Sequence, residues 1–302
     1  MDIYFAGSRN EPCDNHIIES SSDRLYSYYN DKRAIELWNT SNPKGKLFID
    51  SGAFSAWTKG AKIDVDEYIK YINDRSDFVS LYGQIDAIGG EISRRATRDE
   101  QQEAARKTWE NYLYMYPKMN KPEGLLYTFH IEEDYSFLEN ALEWKDVNGK
   151  QLEYMALGGM VGKPRPLKLQ FIEKCFSIIH KSGNPNIKVH AFGMTSLKIL
   201  ETYPFFSADS TSWIMTGSMG GIMTRKGTVA LSENRNKEME HFTHLSSENQ
   251  AEFEKIVLEY GFTLKELSEE SNKRIIFNAK YMKKWSDEYE LKSPLIFRKK
   301  LF

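Results

Sequence analysis

Cysteine is almost missing from this chain: Cys13 and Cys175 are the only two. They cannot make a disulfide framework, and with six scattered histidines they show no spacing that would hold a metal. Long apolar runs are missing too. None reaches the 18 or so residues a membrane span needs, and the opening MDIYFAGSRNEP carries an acid at Asp2 and turns polar at once, unlike a signal peptide. Neither sign of charge is in excess: 41 basic residues face 43 acidic ones, for a net charge of −2. The whole chain is therefore no polycation, and contact with a nucleic acid would have to use local basic patches. No GxGxxG follows the first strand pattern, and no Walker A, GxSxG, HExxH or EF-hand pattern occurs. Repeats, low-complexity tracts and sustained heptads are lacking as well.

What is present builds a core. Apolar residues make up 40% and charged residues 28%, with a mean hydropathy of −0.58. The 302 residues accommodate one α/β barrel of roughly 250 residues with a short appendage. Short β-rich runs recur at Asp2–Phe5, Leu47–Ile49, Phe78–Ile85, Leu125–Phe129, Tyr154–Leu157, Ile187–Phe192 and Phe205–Ala208, and an eighth is expected around Ile222–Leu231. Helical patterns lie between them. Ile63–Ile72 has apolar residues three and four apart, Thr97 with Glu100 forms a capping box, and Pro166–His180 runs to the breaker Ser182-Gly183-Asn184-Pro185. This βα rhythm predicts a (β/α)8 TIM barrel over residues 1–240. Residues 241–302 then read as a helical extension. Ser247 with Gln250 would cap one of its helices, ending at Gly261, and Thr263 with Glu266 the next.

In such a barrel the chemistry sits at the C-terminal ends of the strands. LFIDSGAFSAW ends an apolar strand in Asp50, LYGQIDAIGG does the same with Asp86, EYMALGGMVGK ends in Gly158-Gly159, and FFSADSTSW carries Asp209. Taken singly, each Asp reads as a helix cap or turn residue. Together they bring carboxylates to one place, where two can divide the work of nucleophile and proton transfer. The Gly-Gly pair would let a flat ligand approach the backbone. Phe54 and the segment Phe192-Gly193-Met194 read either as a sandwich for a planar base or as core. His130 and His190 end strands of their own and read as site residues or as buried structural histidines. Thr224-Arg225-Lys226 is a phosphate contact or an ordinary turn. Residues 273–302 hold nine Lys/Arg against three acids, a net of +6, which suits a polymer-binding face or a solvated helix.

These residues resemble a known family. DSGAFS at Asp50–Ser55 is similar to the DSGGFQ motif of tRNA-guanine transglycosylases, and Asp86 sits where that family has its base-recognising aspartate. ALGGMVGK at Ala156–Lys163 resembles its GGLAVGE-type loop, HAFGM at His190–Met194 its MGVG segment, and ADSTSW at Ala208–Trp213 the strand end with the nucleophile. The matches run in order over about residues 45–215. The resemblance implies a (β/α)8 barrel that exchanges guanine in a nucleic acid for a 7-deazaguanine such as queuine or 7-cyano-7-deazaguanine, without a cofactor. Asp209 would attack the ribosyl C1′ and Asp50 would shuttle protons. Asp86 would read the base's Watson–Crick edge, the Gly158-Gly159 backbone would lie near the 7-substituent, Gly193 and His130 would also line the base site, and Phe54 and Phe192 would stack on the ring. Arg225 and Lys226 would touch the phosphate backbone.

Two departures direct the reading. Ala53 and Ser55 replace the second Gly and the Gln of the family motif, and the Cys-x-Cys-x2-Cys…His zinc element of the tRNA enzymes has no counterpart after Asp209. A zinc-less barrel resembles the phage and genomic-island transglycosylases that place 7-deazaguanines in DNA, so DNA is favoured over tRNA. Two other classes stay open: a non-catalytic nucleic-acid-binding subunit, and a glycosidase using Asp50 and Asp209 as its carboxylate pair. The expected location is the cytoplasm, that of the host if the chain is phage-encoded. A homodimer is an open expectation, since barrels of this family often pair.

Overall fold

The structure, a computed structural model, describes residues 1–94, 96–194, 196–235 and 239–289. Eight parallel strands close into a barrel: β1 (Asp2–Ala6), β2 (Asp23–Ser27), β3 (Leu47–Asp50), β4 (Val79–Gly83), β5 (Leu125–His130), β6 (Tyr154–Gly158), β7 (Lys188–Ala191) and β8 (Ser207–Ser210). They pair in chain order, and β8 returns to β1 with Tyr4 opposite Asp209. Helices follow the strands outside: α1 (Glu11–Glu19), α2 (Lys32–Thr40), α3 (Ala53–Thr58), α4 (Val65–Asn73), α5 (Arg98–Met115), α6 (Tyr135–Glu143), α7 (Arg165–Lys181), α8 (Leu197–Thr202) and α9 (Ser212–Ser218). The chain is thus a (β/α)8 barrel with a helical C-terminal extension. Among the described residues no helix is long and apolar enough to cross a membrane.

One strand lies elsewhere than the sequence predicts. The segment around Ile222–Leu231 is no barrel strand. It forms an antiparallel hairpin outside the barrel, β9 (Gly221–Thr224) with β10 (Gly227–Ala230). The missing strand is β2, whose run DRLYS carries a buried cation that masks it. Arg24 is fully buried, pairs with Asp14 of α1 at 2.9 Å, and lies over the rings of Tyr26 and Trp213. A guanidinium is tolerated there because its charge is paired and its flat face stacks on aromatic rings.

The capping box at Thr97 and Glu100 opens α5 as predicted. Farther on, the cap shifts by one residue. Ser246, not Ser247, caps α10 (Ser247–Glu259) by accepting the Asn249 N–H, because Ser246 holds the extended backbone that a cap needs while Ser247 is already helical. Thr263 and Glu266 make the reciprocal box of α11 (Leu264–Glu269).

The last helix among the described residues, α12 (Ser271–Glu288), packs against α1, α9, β1 and β9. Two buried polar side chains fasten it. Arg274 donates to the carbonyls of Gly217 and Leu267, and Asn278 accepts from Met223 N–H while donating to the Trp213 carbonyl. Each satisfies backbone groups that burial would otherwise strand. At the far end Tyr289 donates to Leu200 of α8. Lys292, Arg298, Lys299 and Lys300 of the basic tail lie outside the described residues.

A Cβ on Gly217 would lie 2.6 Å from Ile275 Cγ1 and 2.8 Å from its backbone N. We therefore expect Gly217→Ala to push α12 off α9 and cost about 1–3 kcal/mol. Urea unfolding should show this as a lower midpoint at unchanged slope.

Candidate active site

Successive residues of a strand face opposite sides, so alternate positions of each barrel strand point inward. At the lower end these are Tyr4, Leu25, Phe48, Leu81, Leu126 and Tyr154, a packed apolar plug. At the C-terminal ends the inward positions change character to Asp50, His130, Gly158, His190 and Asp209. The plug keeps water out from below, so these polar groups meet solvent only through the mouth.

Asp209 lies inside β8 and is 7% exposed. Its Oδ1 accepts from the Gly193 N–H at 2.9 Å and faces His190 Nε2 at 3.2 Å. His190 is fully buried, ringed by Phe192, Phe48 and Tyr4 at centroid distances of 4.7, 5.0 and 6.1 Å. Its Nδ1 contacts Ser207 Oγ, which in turn contacts the Tyr154 hydroxyl.

Asp50 ends β3, and its Oδ2 accepts from the Gly52 N–H at 3.0 Å. Its carboxyl is pushed up to about 7, above all by burial, then by the charge of Asp86, with Asp209 adding to both against the pull of the Gly52 amide. The three strand-end aspartates therefore share one electrostatic neighbourhood, as like charges crowded at low dielectric must.

Asp86 lies past the end of β4. Its Oδ1 accepts from Gln84 Nε2 and its Oδ2 faces His130 Nε2, both at 3.3 Å. His130 Nδ1 meets Glu133 Oε1 at 3.0 Å, and Glu133 also accepts the His130 N–H. Burial opposes a charged imidazole here, but Asp86 and Glu133 outweigh it and hold His130 well above the usual histidine range. His130 thus lies between two carboxylates that favour its protonated form.

Gly158 has a more specific use than leaving a ligand room. A Cβ there would come within 2.8 Å of His130 Cδ2 and 2.9 Å of Thr128 Cγ2, so the bare α-carbon is what lets His130 lie across to Asp86. Gly159 follows it, and Gly193 combines a φ of +62° with a Cβ position 2.5 Å from Val161. Phe192 caps the apolar plug beside Phe48. Phe54 is 63% exposed on α3, tilted against Trp57. Arg225 and Lys226 are not brought to this mouth. They occupy the β9–β10 turn, paired with Glu201 near the end of α8 and with Glu252 of α10.

Two participants escape a reading of the sequence. Glu133 sits in an ordinary acidic loop, and only the His-x-x-Glu spacing from His130 hints at it. His190, by sequence more readily a structural histidine than a site residue, shows its role only through the Asp209 contact. Among the described residues no group of three or more His, Cys, Asp or Glu is placed to hold a metal ion. No family model matches the chain, and no curated protein matches it.

Two outcomes follow from this geometry. The Asp50 carboxyl loses its proton near 3.8 when unfolded and near 7 when folded, so its contribution to stability falls as pH rises between those values. Asp50→Asn should therefore unfold at a higher temperature than the native chain at pH 8, the advantage vanishing near pH 4; an offset equal at both pH values would refute the assignment. Gly193→Ala should lose about 1–2 kcal/mol from its left-handed backbone and also displace the N–H that holds Asp209, which amide exchange at residue 193 would report.

Proposed function

We propose that this chain is a guanine transglycosylase that exchanges guanine in DNA for a 7-deazaguanine such as 7-cyano-7-deazaguanine. The observation that carries the reading is the gathering of Asp50, Asp86 and Asp209 at the strand ends with different neighbours: Asp50 buried with its carboxyl pushed up to about 7, Asp86 facing His130, and Asp209 holding the Gly193 N–H. The motif resemblance supports it, and the lack of a cysteine-rich element after Asp209 favours DNA over tRNA.

In this reading the target guanine leaves its stack and enters the mouth. Asp86, held as an acceptor by the His130 cation, takes hydrogen bonds from the N1–H and N2–H of the base. Asp209 forms a bond from its carboxylate oxygen to the sugar C1′ while the C1′–N9 bond breaks, and the departing base takes a proton from Asp50. The incoming 7-deazaguanine gives its N9 proton back to Asp50, bonds to C1′ and releases the Asp209 carboxylate. Proton and electron pair are both restored, so no co-reactant is needed. Splitting one substitution into two suits a carboxylate nucleophile, and an acid poised near neutrality suits a group that must give and then take a proton. In this reading Phe54 and Phe192 would stack on the base.

The test is incorporation of labelled guanine and labelled 7-cyano-7-deazaguanine into double-stranded DNA and, separately, into bulk tRNA. We expect label in DNA, none with Asp209→Ala, and a covalent protein–DNA species that Asp209→Ala cannot form. Label in tRNA alone would keep the chemistry and move the substrate. Label in neither polymer would overturn the reading in favour of a binding subunit. The exchange rate should peak near pH 7 and fall on both sides, because Asp50 must be protonated in one half-reaction and ionised in the other; Asp50→Asn should abolish it.

A further inference from the structure

We propose that His190 is a positioning residue for Asp209: backed by Ser207 and Tyr154, its Nε2–H joins the Gly193 amide in holding Oδ1, so that Oδ2 is the oxygen offered to the reacting carbon. Its kinetic consequence rests on the exchange chemistry above; its geometry does not.

An ionised carboxylate only accepts hydrogen bonds, so the nitrogen facing it at 3.2 Å must carry the proton. Nδ1 of a neutral ring is then a bare acceptor aimed at Ser207 Oγ. Ser207 can fill that role only by donating its own hydroxyl, which leaves its oxygen to accept from Tyr154. Burial holds the Tyr154 phenol well above its usual range, so it keeps the proton it must donate. The polarity runs one way from end to end: Tyr154 to Ser207, Ser207 to His190, His190 to Asp209. The rings of Tyr4, Phe48 and Phe192 meet the imidazole in T-shaped arrangements and help fix its plane.

Both donors act on the same oxygen, which stops the carboxylate from rotating and leaves Oδ2 free. When Oδ2 bonds to C1′, Oδ1 becomes the carbonyl oxygen of the glycosyl ester and keeps both bonds. When that ester is displaced, they are already in place for the returning charge. The relay moves no proton. It supplies orientation and a fixed dipole, which lower a barrier without reorganising during the reaction.

The test compares His190→Phe, which keeps an aromatic ring but no donor, with His190→Gln, whose amide N–H can reach Oδ1, and Tyr154→Phe. With 15N-labelled histidine, NMR should show His190 as the Nε2–H tautomer, and Tyr154→Phe should shift its Nδ1 resonance. His190→Phe should lower kcat for exchange on the order of 10- to 100-fold at an unchanged KM for the base, and His190→Gln should recover most of it. An Nδ1–H tautomer overturns the proposal. So does a Gln variant no better than Phe when both melt like the native chain. If the native chain exchanges no base, the exchange reading fails, and the tautomer and its response to Tyr154→Phe decide this inference alone.

Discussion

Closing eight strands into a barrel forces every second residue of each strand into a space that side chains must fill, and the rest of this structure depends on how that space is divided. The lower layers take Tyr4, Leu25, Phe48, Leu81, Leu126 and Tyr154, which seal the barrel as any apolar core would. Above them the same inward direction delivers Asp50, His130, His190 and Asp209 to one mouth. Strand parity converts a list of residues far apart in the chain into neighbours. A slip of one residue in any strand would turn its polar group out among the helices.

Crowding carboxylates above an apolar floor is costly unless each is managed, and the three are managed differently. Asp209 sets its Oδ1 against the Gly193 amide and His190 Nε2. Asp86 has an imidazolium beside it, itself held by Glu133. Asp50 has the Gly52 and Ser51 amides but, among the described residues, no paired cation, and burial with the nearby carboxylates raises its proton affinity. Identical side chains thus acquire separate chemical characters from burial and neighbours alone, and that division of labour is what makes a base-exchange reading physically reasonable.

The mouth is held in shape from a distance. α12, the last helix among the described residues, lies against the first strand and first helix, with Arg274 and Asn278 satisfying carbonyls of α9. β8, which carries Asp209, leads directly into α9, so the C-terminal helices brace the segment that follows the proposed nucleophile. Arg24 ties the same region together from within, joining β2 to α1 through Asp14 and to α9 through Trp213.

The sequence by itself determined the barrel rhythm, the caps at Thr97 and Thr263, and the aspartates at the strand ends, because each is written in residues adjacent along the chain: an apolar run, a turn, a polar residue where the run stops. It misplaced one strand for a related reason. The apolar run at Ile222–Leu231 looks like a barrel strand, and DRLYS does not, since local pattern cannot show that the Arg24 charge is met by Asp14 and two rings. What the chain's folding in space adds is that Asp86 and Glu133 flank His130 and raise its proton affinity, that a bare α-carbon at Gly158 leaves it room to reach Asp86, and that His190 meets Asp209 from 19 positions away. Those properties belong to distances across the barrel, and a charge or a hydrogen bond takes its strength from what surrounds it in space rather than along the chain.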